Sequence, residues 1–328
     1  MRILIVTLDN VGDTLISLAV YRALRAQPGV EPALLTKEYS RDIIPLAGDG
    51  IEHYHCDPFW DRSPGKEKGG FFKYLRTLLA IRAAGFDAAI ILHANWRKNL
   101  SCLLAGIPRR YALKGAFATD QIKPAARDTH ILDSSRKLVE AALGKDPGEL
   151  RYPVSPSRFG ESPRSAALFS SGTWAVLHPF SGNPKRNLPL KAWTGVLQLF
   201  KERRMRVLVN AGPEEKELFN SVLTADADRV FSCDLDLDIR NLAFAVSRAA
   251  IFVGNNSGPL HLASALGTPC LGIFQKSWVN KISPRGKFLP ELALFEDDPS
   301  EISAGEVLAK ADKLLSVHVS APCRSRNC

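Results

Sequence analysis

Twice along this chain, short β-rich runs alternate with amphipathic helical stretches, and this repeated alternation restricts the fold more than any other feature. Strands separated by helices build parallel sheets from βαβ units. In the first half, strands are expected at residues 2–7, 33–36, 51–55, 87–92 and 110–113, with helices at 14–26, 71–84 and 131–143. Ile16, Val20, Ala23 and Leu24 recur at helical spacing, which predicts one buried face for the first helix, and Gln27-Pro28-Gly29 stops it. Pro153, Pro156, Pro163, several serines and Gly172 then interrupt the periodicity. The alternation restarts with strands at 174–178, 206–210, 229–232, 251–254 and 270–273, and helices at 190–203, 214–223, 239–248, 259–266 and 302–315.

The reading is therefore an α/β chain of two doubly wound, Rossmann-like parallel-sheet domains. The first spans residues 1–152, a linker 153–172, the second domain 173–316, and a basic tail 317–328. A length of 328 residues suits two cores better than one. Two consecutive domains of this kind place a ligand cleft at the carboxyl ends of their strands.

Composition narrows the function classes. No apolar run approaches the roughly 20 residues needed to cross a bilayer. The opening apolar run stops at Asp9 without a small-residue cleavage site, so the expected location is cytoplasmic. Six scattered cysteines, Cys56, Cys102, Cys233, Cys270, Cys323 and Cys328, form no C-x-x-C pair and read as free thiols rather than metal ligands. The net charge of +9 implies anionic partners. Its basic residues are dispersed and lack interleaved aromatics, which argues against nucleic acid.

Three turns carry candidate chemistry. After the first strand comes Asn10-Val11-Gly12-Asp13, without the glycine pattern of a dinucleotide fingerprint or a P-loop. Asp13 reads first as a helix cap, and alternatively as a carboxylate able to accept a proton from a sugar hydroxyl. The second turn runs from His178 to Pro189, where small residues, Ser181 and the adjacent cations Lys185 and Arg186 could cradle a diphosphate, or simply form a solvated basic loop. The third is Gly254-Asn255-Asn256-Ser257-Gly258-Pro259-Leu260-His261, a strand breaking into a helix whose N-terminus is a ready anion site. His261 there could face a ligand or pack in the core. Gly212, in Ala211-Gly212-Pro213-Glu214, could form one wall of a nucleotide pocket or an ordinary turn.

Taken in order, these turns resemble glycosyltransferase family 9, the lipopolysaccharide heptosyltransferases. Gly85-Phe86-Asp87 and Gly106-Ile107-Pro108-Arg109-Arg110 add weaker echoes, and the match in order and spacing covers roughly residues 1–315. The resemblance implies GT-B architecture, two facing Rossmann-like domains with acceptor on the N-terminal side and nucleotide sugar on the C-terminal side. It implies an inverting, metal-independent transfer with no cofactor, in which Asp13 is the general base and Asn10 and Gly12 lie on the acceptor side. Ser181, Lys185 or Arg186, Gly212, Asn256, Ser257, Gly258 and His261 fall on the donor side. Counting back from Pro189 favours Arg186, but the chemistry of either cation serves. The implied donor is ADP-heptose. The implied acceptor is an anionic lipid-linked saccharide of the lipopolysaccharide core, reached peripherally at the inner-membrane surface.

Two departures stand out. Asn256 occupies a position where the family usually has an acid, and Leu188 stands where its basic loop has tryptophan. Asn256 leaves two alternatives open: a GT-B enzyme using another nucleotide sugar, and a sugar-nucleotide-binding protein without turnover.

Overall fold

The computed structural model describes residues 1–61, 70–93, 95–124, 126, 128–155, 159, 167–169, 171–222 and 229–318. The chain divides into two compact units, Met1–Pro153 and Val154–Cys328. Most of the stretch read as a linker lies outside the described residues, as do residues 319–328 with Cys323 and Cys328.

The first unit runs β1 (Arg2–Thr7), α1 (Val11–Arg25), β2 (Glu31–Thr36), a 3-10 segment Glu38–Leu46, β3 (His53–His55), α2 (Phe71–Ala84), β4 (Ala88–Ile91), α3 (Trp96–Leu104), β5 (Arg109–Ala112), β6 (Asp120–Gln121) and α4 (Ile131–Leu143). Its strands pair in parallel in the order β3-β2-β1-β4-β5-β6. Alternate residues of a strand face opposite ways. Thus Leu4, Val6, Leu35 and Ile91 pack on one face against Tyr74, Leu78 and Ile81 of α2 and Cys102 of α3. Ile3, Ile5 and Ile90 are also fully buried, and α1 and α4 pack together beside the sheet.

The second unit runs β7 (Trp174–His178), 3-10 segments Pro184–Arg186 and Leu190–Trp193, α5 (Thr194–Glu202), β8 (Arg206–Val209), α6 (Pro213–Val222), β9 (Arg229–Phe231), a 3-10 segment Ser232–Leu235, α7 (Ile239–Arg248), β10 (Ile251–Asn255), α8 (Gly258–Leu266), β11 (Cys270–Gln275), α9 (Lys276–Ile282), β12 (Glu291–Phe295), a 3-10 segment Pro299–Glu301 and α10 (Ala304–His318). Its parallel order, β12-β11-β10-β7-β8-β9, is the same winding as in the first unit, seen from the other end. In both units the chain reverses direction across the sheet between the first and fourth strands, and such a switch point is where open α/β sheets hold ligands.

Two α-helices and two strands, α3, α9, β6 and β12, lie where none was expected, as do the 3-10 segments Glu38–Leu46, Ser232–Leu235 and Pro299–Glu301. Helix α1 begins three residues earlier than its apolar spacing suggested, so Asn10 occupies the N-cap and Asp13 the third helical position.

Candidate active site

At the switch point of the first unit, the turn after β1 meets the turn after β4. Asp13 Oδ2 accepts the Asn10 N–H at 2.9 Å, so the capping role is real. Its other oxygen, Oδ1, lies 2.8 Å from His93 Nε2. The ring N–H does not point squarely at that oxygen, so the contact is electrostatic first. Asp13 keeps about a fifth of its side chain exposed, 21%. His93 has φ +46°, in the left-handed region that residues other than glycine rarely occupy outside constrained sites.

What holds His93 there is a buried lysine. Lys98 of α3 donates to His93 O at 3.1 Å and to Asp9 Oδ2 at 2.5 Å, with only 4% of its side chain exposed. Tyr39 donates to Asp9 O and shares a 3.1 Å contact with Asn10 Oδ1. Burial, aided by the charges of Asp13 and Asp9, pushes the Tyr39 pKa well above the usual phenol range. Burial alone would pull the His93 imidazole down, but the closeness and charge of Asp13, joined by Asp9, outweigh it, and its pKa ends above 6.5. Gly12 is buried in the same turn.

In the second unit, the loop after β7 and the turn after β10 flank the corresponding switch point. Asn255, the last residue of β10 and fully buried, accepts the Leu188 N–H at 3.1 Å and donates Nδ2 to Pro179 O at 2.5 Å. One side chain thereby pins both ends of the basic loop. Gly254 is required just before it, because a Cβ there would meet His178 O at 2.8 Å. Leu188 fills a core position beside Trp193, whose indole donates to Leu188 O at 3.4 Å.

The loop's functional candidates are disposed differently from one another. Ser181 donates to Asn187 Oδ1 at 2.6 Å, so its proton is engaged within the loop. Lys185 is exposed and its ammonium makes no bond among the described residues. The Arg186 guanidinium lies over the Trp278 ring of α9, 4.9 Å from its centroid. Trp278 was not singled out from sequence.

Ser257 caps α8, yet its hydroxyl is buried and makes no hydrogen bond. Buried polar groups are nearly always paired, so an orphaned hydroxyl at a positive helix end points to an oxygen-rich ligand. Gly258 opens the helix, Asn256 donates its N–H to Ile273 O at 3.0 Å, and His261 is buried in the first turn.

Gly212 lines a cavity of about 350 Å³ with His178, Asn210, Glu215, Ser232 and Asp236 among others. Its N–H is held by Glu215 Oε2 at 2.9 Å, which sets the turn into α6. Burial depresses the His178 pKa despite its 2.8 Å contact to Asn210 O. Among the described residues no group of three or more His, Cys, Asp or Glu could hold a metal ion. Cys56, Cys102 and Cys270 are buried free thiols, and burial pushes Cys56 and Cys102 up to about 12.

The profile of glycosyltransferase family 9 (heptosyltransferase) matches residues 74–292, about two thirds of the chain. The chain belongs to glycosyltransferase family 9. This family-9 glycosyltransferase is 24% identical over 297 residues to a Haemophilus influenzae protein assigned as a glycosyltransferase, covering 84% of this chain and 83% of that one. Among solved structures it is similar to the Escherichia coli ADP-heptose lipopolysaccharide heptosyltransferase II, with TM-score 0.77, 16% identity, and 98% and 100% of the two chains covered. It is also similar to the E. coli heptosyltransferase WaaC solved with ADP, with TM-score 0.75, 19% identity, and 96% and 100% covered. A family 9 glycosyl transferase from Veillonella parvula gives TM-score 0.78 at 17% identity, with 96% and 97% covered. These likenesses establish the GT-B fold. No described helix of the family-9 transferase is long and apolar enough to cross a membrane.

Proposed function

We propose that this glycosyltransferase moves a heptose from ADP-heptose to an anionic, lipid-linked acceptor of the lipopolysaccharide-core type, with inversion and without a metal. The observation that carries the reading is the buried, unpaired Ser257 hydroxyl at the N-terminus of α8, a site built for a diphosphate oxygen. The donor class is supported by the bound ADP of the solved relative. Asp13 takes the proton of an acceptor hydroxyl. The hydroxyl oxygen forms its bond to the anomeric carbon as the bond from that carbon to the diphosphate breaks, and ADP leaves with the electron pair. Charge developing on the diphosphate is met by Ser257, the Gly258 amide and the loop cations, with Ser181 joining once it turns from Asn187.

Of the two cations, Arg186 is the one held in place. A guanidinium seated over an indole face is attracted to the ring without using up a hydrogen-bond acceptor, so its N–H groups can still grip phosphate oxygens two at a time. Asn256 replaces an acid with a neutral hydrogen-bonding group for the sugar, and Gly212 and His261 complete the donor side. Asn10 and Gly12 lie on the acceptor side. The enzyme would work peripherally at the cytoplasmic face of the inner membrane, where its +9 charge suits an anionic surface.

Thermal stabilisation by ADP, UDP, GDP and CMP tests the donor. At about 100 times its dissociation constant a ligand adds about 2.7 kcal/mol. A selective melting shift with ADP supports the proposal. A shift with another nucleotide alone replaces the donor, and none with any nucleotide contradicts transfer from a nucleotide sugar.

A further inference from the structure

Helix α2 carries two apolar faces. Tyr74, Leu78 and Ile81 point into the core, as a helix covering a sheet requires. On the opposite side Phe72, Leu75 and Leu79 point outward, and they are 82%, 41% and 57% exposed. Their three- and four-residue spacing sets them in one stripe. Phe59, 44% exposed, extends the stripe through Phe71, with ring centroids 5.3 Å apart, and Phe71 meets Phe72 at 5.7 Å. At the other end, Arg82 donates to Leu104 O at 3.3 Å, and Leu104 is itself 59% exposed.

The charges carried by α2 itself are of one sign, although Glu38 and Asp57 lie close enough to act on Lys73. Between Phe71 and Ala84 there is no acidic residue, while Lys73, Arg76 and Arg82 rise from the same helix. Lys73 is matched by Glu38 at 2.7 Å, but Arg76, set within the apolar stripe, makes no ion pair among the described residues. A helix with an outward apolar stripe and unmatched cations suits the boundary between anionic headgroups and acyl chains, where it lies flat along its length of about 21 Å. A second copy of the chain is a poorer occupant. A two-fold pairing of the helices would bring Arg76 and Arg82 of both copies together with no acid on either helix to offset them.

We infer that the outward face of α2, continued by Phe59, is the surface by which this protein docks on an anionic phospholipid bilayer. Topology gives the docking a purpose. Phe59 follows β3 and Phe71 and Phe72 open α2, so all three stand at the carboxyl end of the sheet, the same end as Asp13. The bilayer would then meet the first unit where its acceptor side lies. This purpose rests on the proposed transfer, but vesicle binding is read without donor or acceptor, so the two can fail separately.

Cosedimentation tests it, using phosphatidylethanolamine vesicles with and without phosphatidylglycerol. The wild-type protein should bind the anionic vesicles. Phe72→Ser with Leu79→Ser should lower partitioning roughly tenfold or more at every salt concentration, since apolar burial is lost. Arg76→Glu should weaken it mainly at low salt, where surface charge is unscreened. All three positions are exposed, so melting temperatures should be unchanged. Failure of the wild type to bind anionic vesicles, or equal binding by the Phe72/Leu79 variant, would overturn the assignment. A dimer in the absence of lipid that this variant converts to monomer, with vesicle binding unaltered, would give the face to a second copy instead.

Discussion

His93 Nε2 and Asp13 Oδ1 stand 2.8 Å apart, joining the turn after β4 to the first turn of α1 across the switch point of the first unit. The proposed base is therefore held at both oxygens, by the Asn10 amide on one side and an imidazole on the other. His93 is in turn held in a left-handed backbone conformation through the grip of Lys98 on its carbonyl. A carboxylate fixed in this way needs little reorganisation before it accepts a proton.

The pairing has opposite consequences for activity and stability. While His93 is protonated, its cation competes with the substrate hydroxyl for Asp13. As pH rises through the elevated His93 pKa, the competition ends, so kcat/KM should climb through a limb centred above 6.5. His93→Gln should remove that limb. Stability runs the other way: a group whose pKa is raised by folding stabilises fully below its unfolded pKa, and loses that contribution as pH passes the folded one. The gap in denaturation midpoint between wild type and His93→Gln should therefore shrink with rising pH.

Asn255→Ala should be costly. It leaves the Leu188 N–H and the Pro179 carbonyl without the side chain that joins them inside the core. Two buried backbone groups without partners predict a loss of about 2–4 kcal/mol in urea unfolding, with weakened ADP binding as the basic loop loosens.

Ser257→Ala should behave in the reverse manner. Its hydroxyl is buried without a partner, so removing it should leave the free protein as stable or slightly more so. The ADP-induced melting shift should fall, since the proposed mechanism makes the diphosphate the hydroxyl's partner. A loss of stability in the free protein with an intact ADP shift would assign the hydroxyl a structural role.

Trp278→Leu removes the platform under Arg186. A cation–π contact of about 0.5–1 kcal/mol predicts a donor KM raised about two- to fivefold with kcat little changed. Steady-state kinetics with varied donor concentration reads this directly.

How much of this was legible beforehand follows from which physical signals a linear sequence carries. The β-rich runs of both units are apolar on both faces, and their alternation with helices shows in the chain order alone. Helix α3 was invisible for a definite reason. It buries Lys98, Asn99 and Ser101, whose Nζ, Nδ2 and Oγ each meet a polar partner distant in sequence: Asp9, the carbonyls of Lys114 and Ala116, and the Tyr74 hydroxyl. Its buried face is thus polar, and hydrophobic periodicity cannot report it. Strand β12 pairs with β11 alone at the sheet edge, and β6 is two residues long, so neither offers much pattern. At the site, Asp13, Ser257 and the basic loop stood out because glycine-containing turns after strands mark themselves. His93, Trp278 and the bridging role of Asn255 did not, because each acts through a partner on another element.

Asp13 is the centre of the proposed mechanism, and its most direct test is turnover by Asp13→Asn with ADP-heptose as donor and heptose-deficient lipopolysaccharide as acceptor. Transfer should fall by about 10²–10⁴, the usual contribution of a positioned base, while the ADP melting shift stays at its wild-type value. Wild-type turnover by a normally folded Asp13→Asn protein would show that the acceptor proton leaves by another route, and the mechanism built on this carboxylate would be wrong.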